Sequence, residues 1–410
     1  MLPVARKETA ISFEPRKWDL FWFAGAQYVT FSGFWMQKTA IGWLTWELTH
    51  SPAWVGTIAL SDLIASLWVA PLSGVLTDRS NPYRLIWTTQ LAVMANAILL
   101  WLLVVTHAIT PWLLLGWAIA DATLQGFNLP VRLLVTGSLA TRGKMNQAIA
   151  ISSIAVNLAR STGPALAGII MLGAGADYAI LANILTFPVM FLALLRIRRV
   201  IDRPRAETAR TSFTSELSQG LSYVTRTPKI GLLFTVVVMF SLLARPFIEL
   251  FPAIAGGVFH GGPGTLAMLM TSQGIGALFG AAWMLRSREP MALVRTTFAA
   301  AFGIGVALVC FSWIADVTYA YIAIGFAGLF HVITNIGMQS MTQTMSREGM
   351  LGRVLALYGL LFKIGPSAGA FLIGFGAHWI DLQILIGVSA AIFAGAIVML
   401  WPALRRTYGY

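Results

Sequence analysis

The stretch Arg196-Ile-Arg198-Arg199-Val-Ile-Asp202-Arg203-Pro-Arg205-Ala-Glu-Thr-Ala-Arg210 opens the only long polar segment of the chain, which closes at Arg226-Thr-Pro-Lys229. It carries eight Lys and Arg. On either side lie two apolar blocks of similar length, residues 20–197 and 231–402. Of the 410 residues, 57% are hydrophobic and 11% are charged. A soluble chain carries about 25% charged residues. The mean hydropathy of +0.75 therefore places these blocks in lipid.

A helix needs roughly 20 apolar residues to cross the hydrocarbon core. Length and punctuation predict spans near 20–47, 52–76, 84–107, 111–136, 145–173, 178–197, 231–258, 264–286, 291–314, 318–342, 350–377 and 381–402. The expected fold is an all-α membrane protein. Its twelve transmembrane helices form two six-helix, pseudo-symmetric bundles, 20–197 and 231–402. A tail (1–19), a linker (198–230) and a second tail (403–410) complete the chain. Residues 213–226 read either as an amphipathic surface helix or as plain charged linker.

Charge sets the expected orientation. Outside the spans, every Lys and Arg falls in the two tails, the linker, or the loops 2–3, 4–5, 8–9 and 10–11. The opposite loops hold Glu47, His50, His107, Asp177, His260, Asp316, His378 and Asp381 instead. This asymmetry predicts cytoplasmic termini. It also accounts for the net charge of +12 without nucleic acid, since basic loops meet anionic lipid. The single Cys310 excludes an internal disulfide and a cysteine metal cluster. The mixed-charge N-terminus lacks a short apolar region with a cleavage site, so it reads as a tail and not as a signal peptide.

The two blocks echo each other. Gly163-Pro164 and Gly168 are followed by Asp177, as Gly365-Pro366 and Gly369 are followed by Asp381. Asn128 leads to Arg142-Gly-Lys144-Met145, as Asn335 leads to Arg347-Glu-Gly349-Met350. Each match joins span n to span n+6, the pattern of a parallel repeat.

With these features the sequence resembles the major facilitator superfamily. Gly74-Val-Leu-Thr-Asp78-Arg79 is similar to the start of its signature loop, although Asn81, Pro82 and Tyr83 stand where a glycine and basic residues are usual. The resemblance implies that Gly74, Asp78 and Arg79 help gate the cytoplasmic side. The segments Trp43–Gly56, Asn157–Gly168 and Gly352-Arg353-Val354 resemble the enterobactin-exporter-like, transmembrane secretion effector branch. Gly163, Pro164 and Gly168 also resemble the antiporter motif of drug exporters. The resemblance implies a bacterial inner-membrane efflux carrier, driven by a proton gradient without a bound cofactor, acting on a small solute. A monomer in lipid is expected.

Charge at the bilayer centre costs at least about 2.5–3.5 kcal/mol, so intramembrane charges mark candidate sites. In span 1, Gln37 and Lys38 qualify; in span 4, Asp121, Gln125 and Asn128 do. Lys38 and Asp121 are expected at similar depth, either as a proton relay or as a static pair. Arg245 and Glu249 are four apart and either satisfy each other or face the cavity. His331, Asn335 and Gln339 form a stripe at steps of four, read as cavity lining. Asp62, Arg160 and Lys363 lie near mid-depth, with Asp62–Arg160 a possible pair. The expected proton carriers are Asp121, Glu249, Asp62 and His331. The excess of buried cations suits a substrate with carboxylates or catecholates. No phosphate loop, zinc-spaced His pair or nucleophile elbow points to an enzyme. A lipid or lysolipid flippase, and an importer, share this fold and stay open as alternatives.

Overall fold

The computed structural model describes residues 16, 18–66, 68–69, 81–141, 144–202, 213–284, 289–347 and 349–409. The described residues form helices and connecting turns, without strands. Before the linker come α1 (Asp19–Thr49), α2 (Pro52–Ala59, continued as helix over 61–66), α3 (Pro82–Val105), α4 (Pro111–Ser138), α5 (Met145–Gly173) and α6 (Ala176–Ile201). After it come α7 (Phe213–Arg226), α8 (Pro228–Met239), α9 (Pro263–Met284), α10 (Pro290–Phe311), α11 (Val317–Met345), α12 (Leu351–Gly376) and α13 (Leu382–Tyr408).

Lipid supplies no hydrogen bonds, so each segment satisfies its own backbone as a helix. The sequence marks the starts clearly. Pro52, Pro82, Pro111, Pro228 and Pro290 stand in first turns, where a missing N–H costs nothing. The side chains of Asn81, Thr110, Asp316 and Asp381 accept from first-turn amides of α3, α4, α11 and α13.

The apolar surface faces outward. Ile169, Leu192, Phe279 and Met399 are each more than 60% exposed. Water would make that surface a liability; hydrocarbon makes it the preferred one. Among the described residues, α3, α5, α6, α8 with its continuation, and α9 to α13 are long and apolar enough to cross a membrane. This is an integral membrane protein. The long helices α1 and α4 stand outside that group. Gln27, Gln37 and Lys38 interrupt α1, and Asp121, Gln125, Asn128 and Arg132 interrupt α4.

Two sets of helices form. In the first, α1 packs on α5 and α6, and α3 on α4 and α6. In the second, α9 packs on α11, and α10 on α11 and α13. The sets meet where α2 crosses α12 and α5 crosses α9. Glycines bring those crossings close. Gly56 faces the backbone of Ala370 and Phe371, Gly374 that of Pro52 and Ala53, and Gly168 touches Ala267. Gly256 and Gly257 lie under the indole of Trp46. These seals cluster toward the helix ends that lead into the loops lacking Lys and Arg.

Two segments depart from expectation, and a third takes one of its two expected forms. The span expected unbroken over 231–258 is interrupted: α8 passes into a π-turn at Phe240–Ala244 and a 3₁₀ turn at Arg245–Ile248. A short α-turn at Phe251–Ala253 and a second π-turn at Ile254–Val258 follow. Pro246 and Pro252 each remove an amide donor, which drives the change of register. The second half of the linker is a helix. Within α7, Gly220 lies against Arg353, and the Tyr223 hydroxyl accepts from the Arg347 amide at 3.2 Å. Finally, α13 runs on to Tyr408, past the expected end at 402, and the Tyr408 hydroxyl donates to the Lys229 carbonyl at 2.6 Å.

Candidate functional site: a charged cluster between two helix sets

A knot of opposite charges forms where the sets face each other. Lys38 comes from α1, Asp62 from the continuation of α2, Glu249 from the broken segment, and Lys363 from α12. The Lys38 ammonium donates to Asp62 Oδ2 at 3.1 Å. On its other side it stands 3.9 Å from Glu249 Oε2. Asp62 Oδ1 is 3.9 Å from the Lys363 ammonium. Each carboxylate thus faces a lysine of the opposite set, and Lys38 and Asp62 also pair within one. The side chains keep 23–42% of their exposure, so they line an open space rather than a packed core.

Two guanidiniums flank the knot. Arg160 of α5 lies over the Trp35 ring at 5.2 Å, and Lys38 approaches the same ring at 5.7 Å. Arg245 lies over the Phe362 ring at 4.2 Å and donates to the Phe362 carbonyl. Cation–π contact holds a charge in place without neutralising it. Neither guanidinium has a carboxylate within 4.0 Å among the described residues. Four cations therefore face two carboxylates. Trp35 also packs on Gly163, and so joins the α5 glycine–proline element (Gly163, Pro164, Gly168) to the cluster.

Several expected pairings are corrected. Lys38 pairs with Asp62 and not with Asp121. Equal depth does not ensure equal facing, and Asp121 is turned into the first set. It is buried there, with the Asn96 amide 3.5 Å away, and the Trp117 indole holds the Asn96 carbonyl at 2.7 Å. Arg160 is not within ion-pair range of Asp62. Arg245 and Glu249 do not pair along one helix, because the 3₁₀ and turn geometry between them ends the four-residue register. The stripe of His331, Asn335 and Gln339 does not line one surface. His331 is buried with its ring stacked on Phe240 at 5.7 Å; Asn335 accepts from the Tyr358 hydroxyl at 3.1 Å; Gln339 is exposed.

Gln37, Gln125 and Asn128 lie apart from the charged knot. Gln37 accepts from the Asn183 amide of α6 at 2.7 Å, while Gln125 and Asn128 line a small cavity between α1, α3, α4 and α6. Gly74, Asp78 and Arg79 fall outside the described residues. Sequence reasoning missed Trp35, Phe362, Asn96 and Asn183. A usable signal existed for the aromatics: Trp35 is one turn before Lys38, and Phe362 is next to Lys363. Nothing in the sequence marks Asn96 or Asn183 among the other polar residues of their helices.

A family profile, the transmembrane secretion effector, matches residues 12–408. The chain belongs to that family. It is accordingly a transporter of the major facilitator type and not an enzyme. Among its relatives is the staphyloferrin A transporter of Staphylococcus aureus, 20% identical over 82% of this chain and 84% of that one. The enterobactin exporter EntS of Shigella flexneri is 23% identical over 80% of this chain and 77% of its own length. The fold matches a bacterial homologue of the human lysosomal transporter Spinster, solved inward-facing and unoccupied, with a TM-score of 0.68 over 96% of this chain and 97% of that one at 12% identity. It likewise matches a peptide transporter, with a TM-score of 0.70 over 99% of both chains at 12% identity.

Proposed function

We propose that this transporter is a proton-coupled exporter of a small anionic organic solute, working by alternating access between two six-helix, pseudo-symmetric bundles. In this reading twelve helices cross the bacterial inner membrane with both termini in the cytoplasm. The monomer needs no cofactor beyond the proton gradient. The observation that carries the reading is the Lys38–Asp62–Lys363–Glu249 knot, whose ion pairs cross from one helix set to the other. Counted with the flanking Arg160 and Arg245, its fixed cations outnumber its carboxylates, which suits an anionic guest. Relatives that carry a siderophore support a siderophore-like substrate.

The coupling follows from electrostatics. While the sets are closed on the side lacking basic loops, Lys38 bridges Asp62 and Glu249. Anionic substrate competes for Lys363, Arg160 and Arg245 and loosens the ties across the sets. A carboxylate that loses its lysine in a low-dielectric site takes up a proton more readily. Asp62 and Glu249 are the first carriers, with Asp121 as a further proton site inside the first set. The sealed glycine crossings then separate as the opposite ends approach.

Purified protein in liposomes tests this. Siderophores, lipophilic drugs and lysolipids are offered to the wild type and to Asp62→Asn, Glu249→Gln and Asp121→Asn, with internal pH followed. Substrate-driven proton flux that disappears in the first two variants supports the reading, and the sign of the pH change separates export from import. Intact flux in all three removes these carboxylates from coupling. Lysolipid movement without proton flux supports a flippase instead.

A further inference from the structure

The cavity inside the first helix set has a charge problem of its own. Arg132 sits within α4, and its guanidinium lies face-on to the Phe31 ring at 3.7 Å. Its Nε is buried without a hydrogen-bond partner. No carboxylate lies within 4.0 Å among the described residues. Arg132 itself is half-buried, and a cation without a counter-charge inside an apolar helix is costly; one aromatic face returns only a part of that cost.

The space beside it is small and partly open, and its lining mixes amides with apolar side chains such as Phe34, Val93 and Phe187. Gln90, Gln125, Asn128 and Asn183 line it with Arg132, and three of these amides are at least nine-tenths buried: Gln90, Asn128 and Asn183. Asn128 Oδ1 is buried without a partner, which leaves the NH2 end of that amide as the donor a guest can reach. The cavity volume is about 20 Å³. A guest of about water size needs roughly 10–15 Å³. A water would solvate the guanidinium but leave its charge in place. A monatomic anion of similar size would neutralise it and accept from the surrounding amides.

We propose that this compartment binds one small inorganic anion of halide size. Arg132 supplies the counter-charge, and Gln90, Gln125 and Asn128 supply amide donors. The site ties α4 to α3 and α6, so occupancy stiffens the first helix set without entering the charged knot. The proposal does not rest on the transport reading.

The test is thermal unfolding of the purified full-length protein in detergent, without substrate. Chloride or bromide is titrated against gluconate, which is too large for the cavity, at constant ionic strength. The midpoint rises with halide and saturates in the wild type. Arg132→Gln loses at least about tenfold in apparent halide affinity, since a single buried charge contact is worth that much. Asn128→Asp places a carboxylate beside Arg132; it keeps the fold and unfolds at the halide-saturated midpoint with no response to halide. A wild-type midpoint indifferent to the choice of anion overturns the proposal, as does an Asn128→Asp protein that keeps the full halide response. An anomalous signal from soaked bromide beside Arg132 supports it independently of stability.

Discussion

The two polar regions of this molecule are built from different residue types and are held in opposite ways. The knot at Lys38, Asp62, Glu249 and Lys363 draws from both helix sets, is partly open, and joins charges at 3.1–3.9 Å. The compartment around Asn183, Gln37, Asn128 and Arg132 belongs to one set, is small, and uses neutral amides around a single charge. Partly exposed ion pairs are individually weak and exchange readily for another anion. Buried amide bonds cost a full desolvation penalty when one partner is lost. Movement between the sets is therefore expected to pass through the knot, while the compartment travels as part of a rigid body.

The strongest way to break that contrast is Asp62→Asn, which leaves Lys38 and Lys363 without their shared carboxylate. Transport should fall at least about tenfold, the effect of roughly 1.4 kcal/mol on the barrier, while the unfolding midpoint changes little. In a double-mutant cycle with Lys38→Gln, the two losses should be non-additive by about 0.5–3 kcal/mol. Additive losses would mean that the two side chains act separately.

Asn183→Leu probes the other region. It strands Gln37 in a buried site, so stability should drop by about 1–3 kcal/mol. The KM of the remaining transport should match wild type. A shift in KM at unchanged stability would place Asn183 in the substrate path and dissolve the distinction.

Gly56→Val sharpens the role of the seams. A side chain there meets the Ala370 and Phe371 backbone. Overpacking of this kind typically costs about 1–3 kcal/mol. That cost falls on the state closed at this end alone. A cysteine placed at Ser51 should label faster with a bulky thiol reagent, at nearly unchanged folding.

The smallest effect is Asn81→Ala. It removes the cap that accepts from Tyr83 and Arg84 and the bond to Asp202 at 2.7 Å. Loss of a cap costs about 1 kcal/mol, and transport by the folded fraction should stay as in the wild type.

How much of this was legible in the sequence depended on whether the signal was local. The starts of α3, α4, α11 and α13 were readable, because Asn81-Pro82, Thr110-Pro111, Asp316 and Asp381 act on amides two or three residues away. That Lys38, Asp62, Glu249 and Lys363 need partners was readable too, because lone charges in apolar runs are costly wherever they point. The partners were not. Depth along a helix follows from residue number, but azimuth follows from packing, and that turned Asp121 toward Asn96 while leaving Asp62 to Lys38. The break at 240–258 was missed as well. Pro246 and Pro252 were visible, but a membrane helix tolerates proline, as α4, α5, α6 and α12 do at Pro130, Pro164, Pro188 and Pro366.

By itself, then, the sequence determined that this chain lives in lipid, where most of its helices begin, and which few residues carry charge into the apolar phase. Each of those properties is a sum over neighbours in the chain. The tertiary structure alone decided that Lys38 and Lys363 share one carboxylate across two helix sets, that Trp35 holds Arg160, and that Arg132 shares a small cavity with the amides of two other helices and its own. Those contacts join residues more than one helix apart, and their geometry exists only once the helices have packed and chosen which face each turns inward.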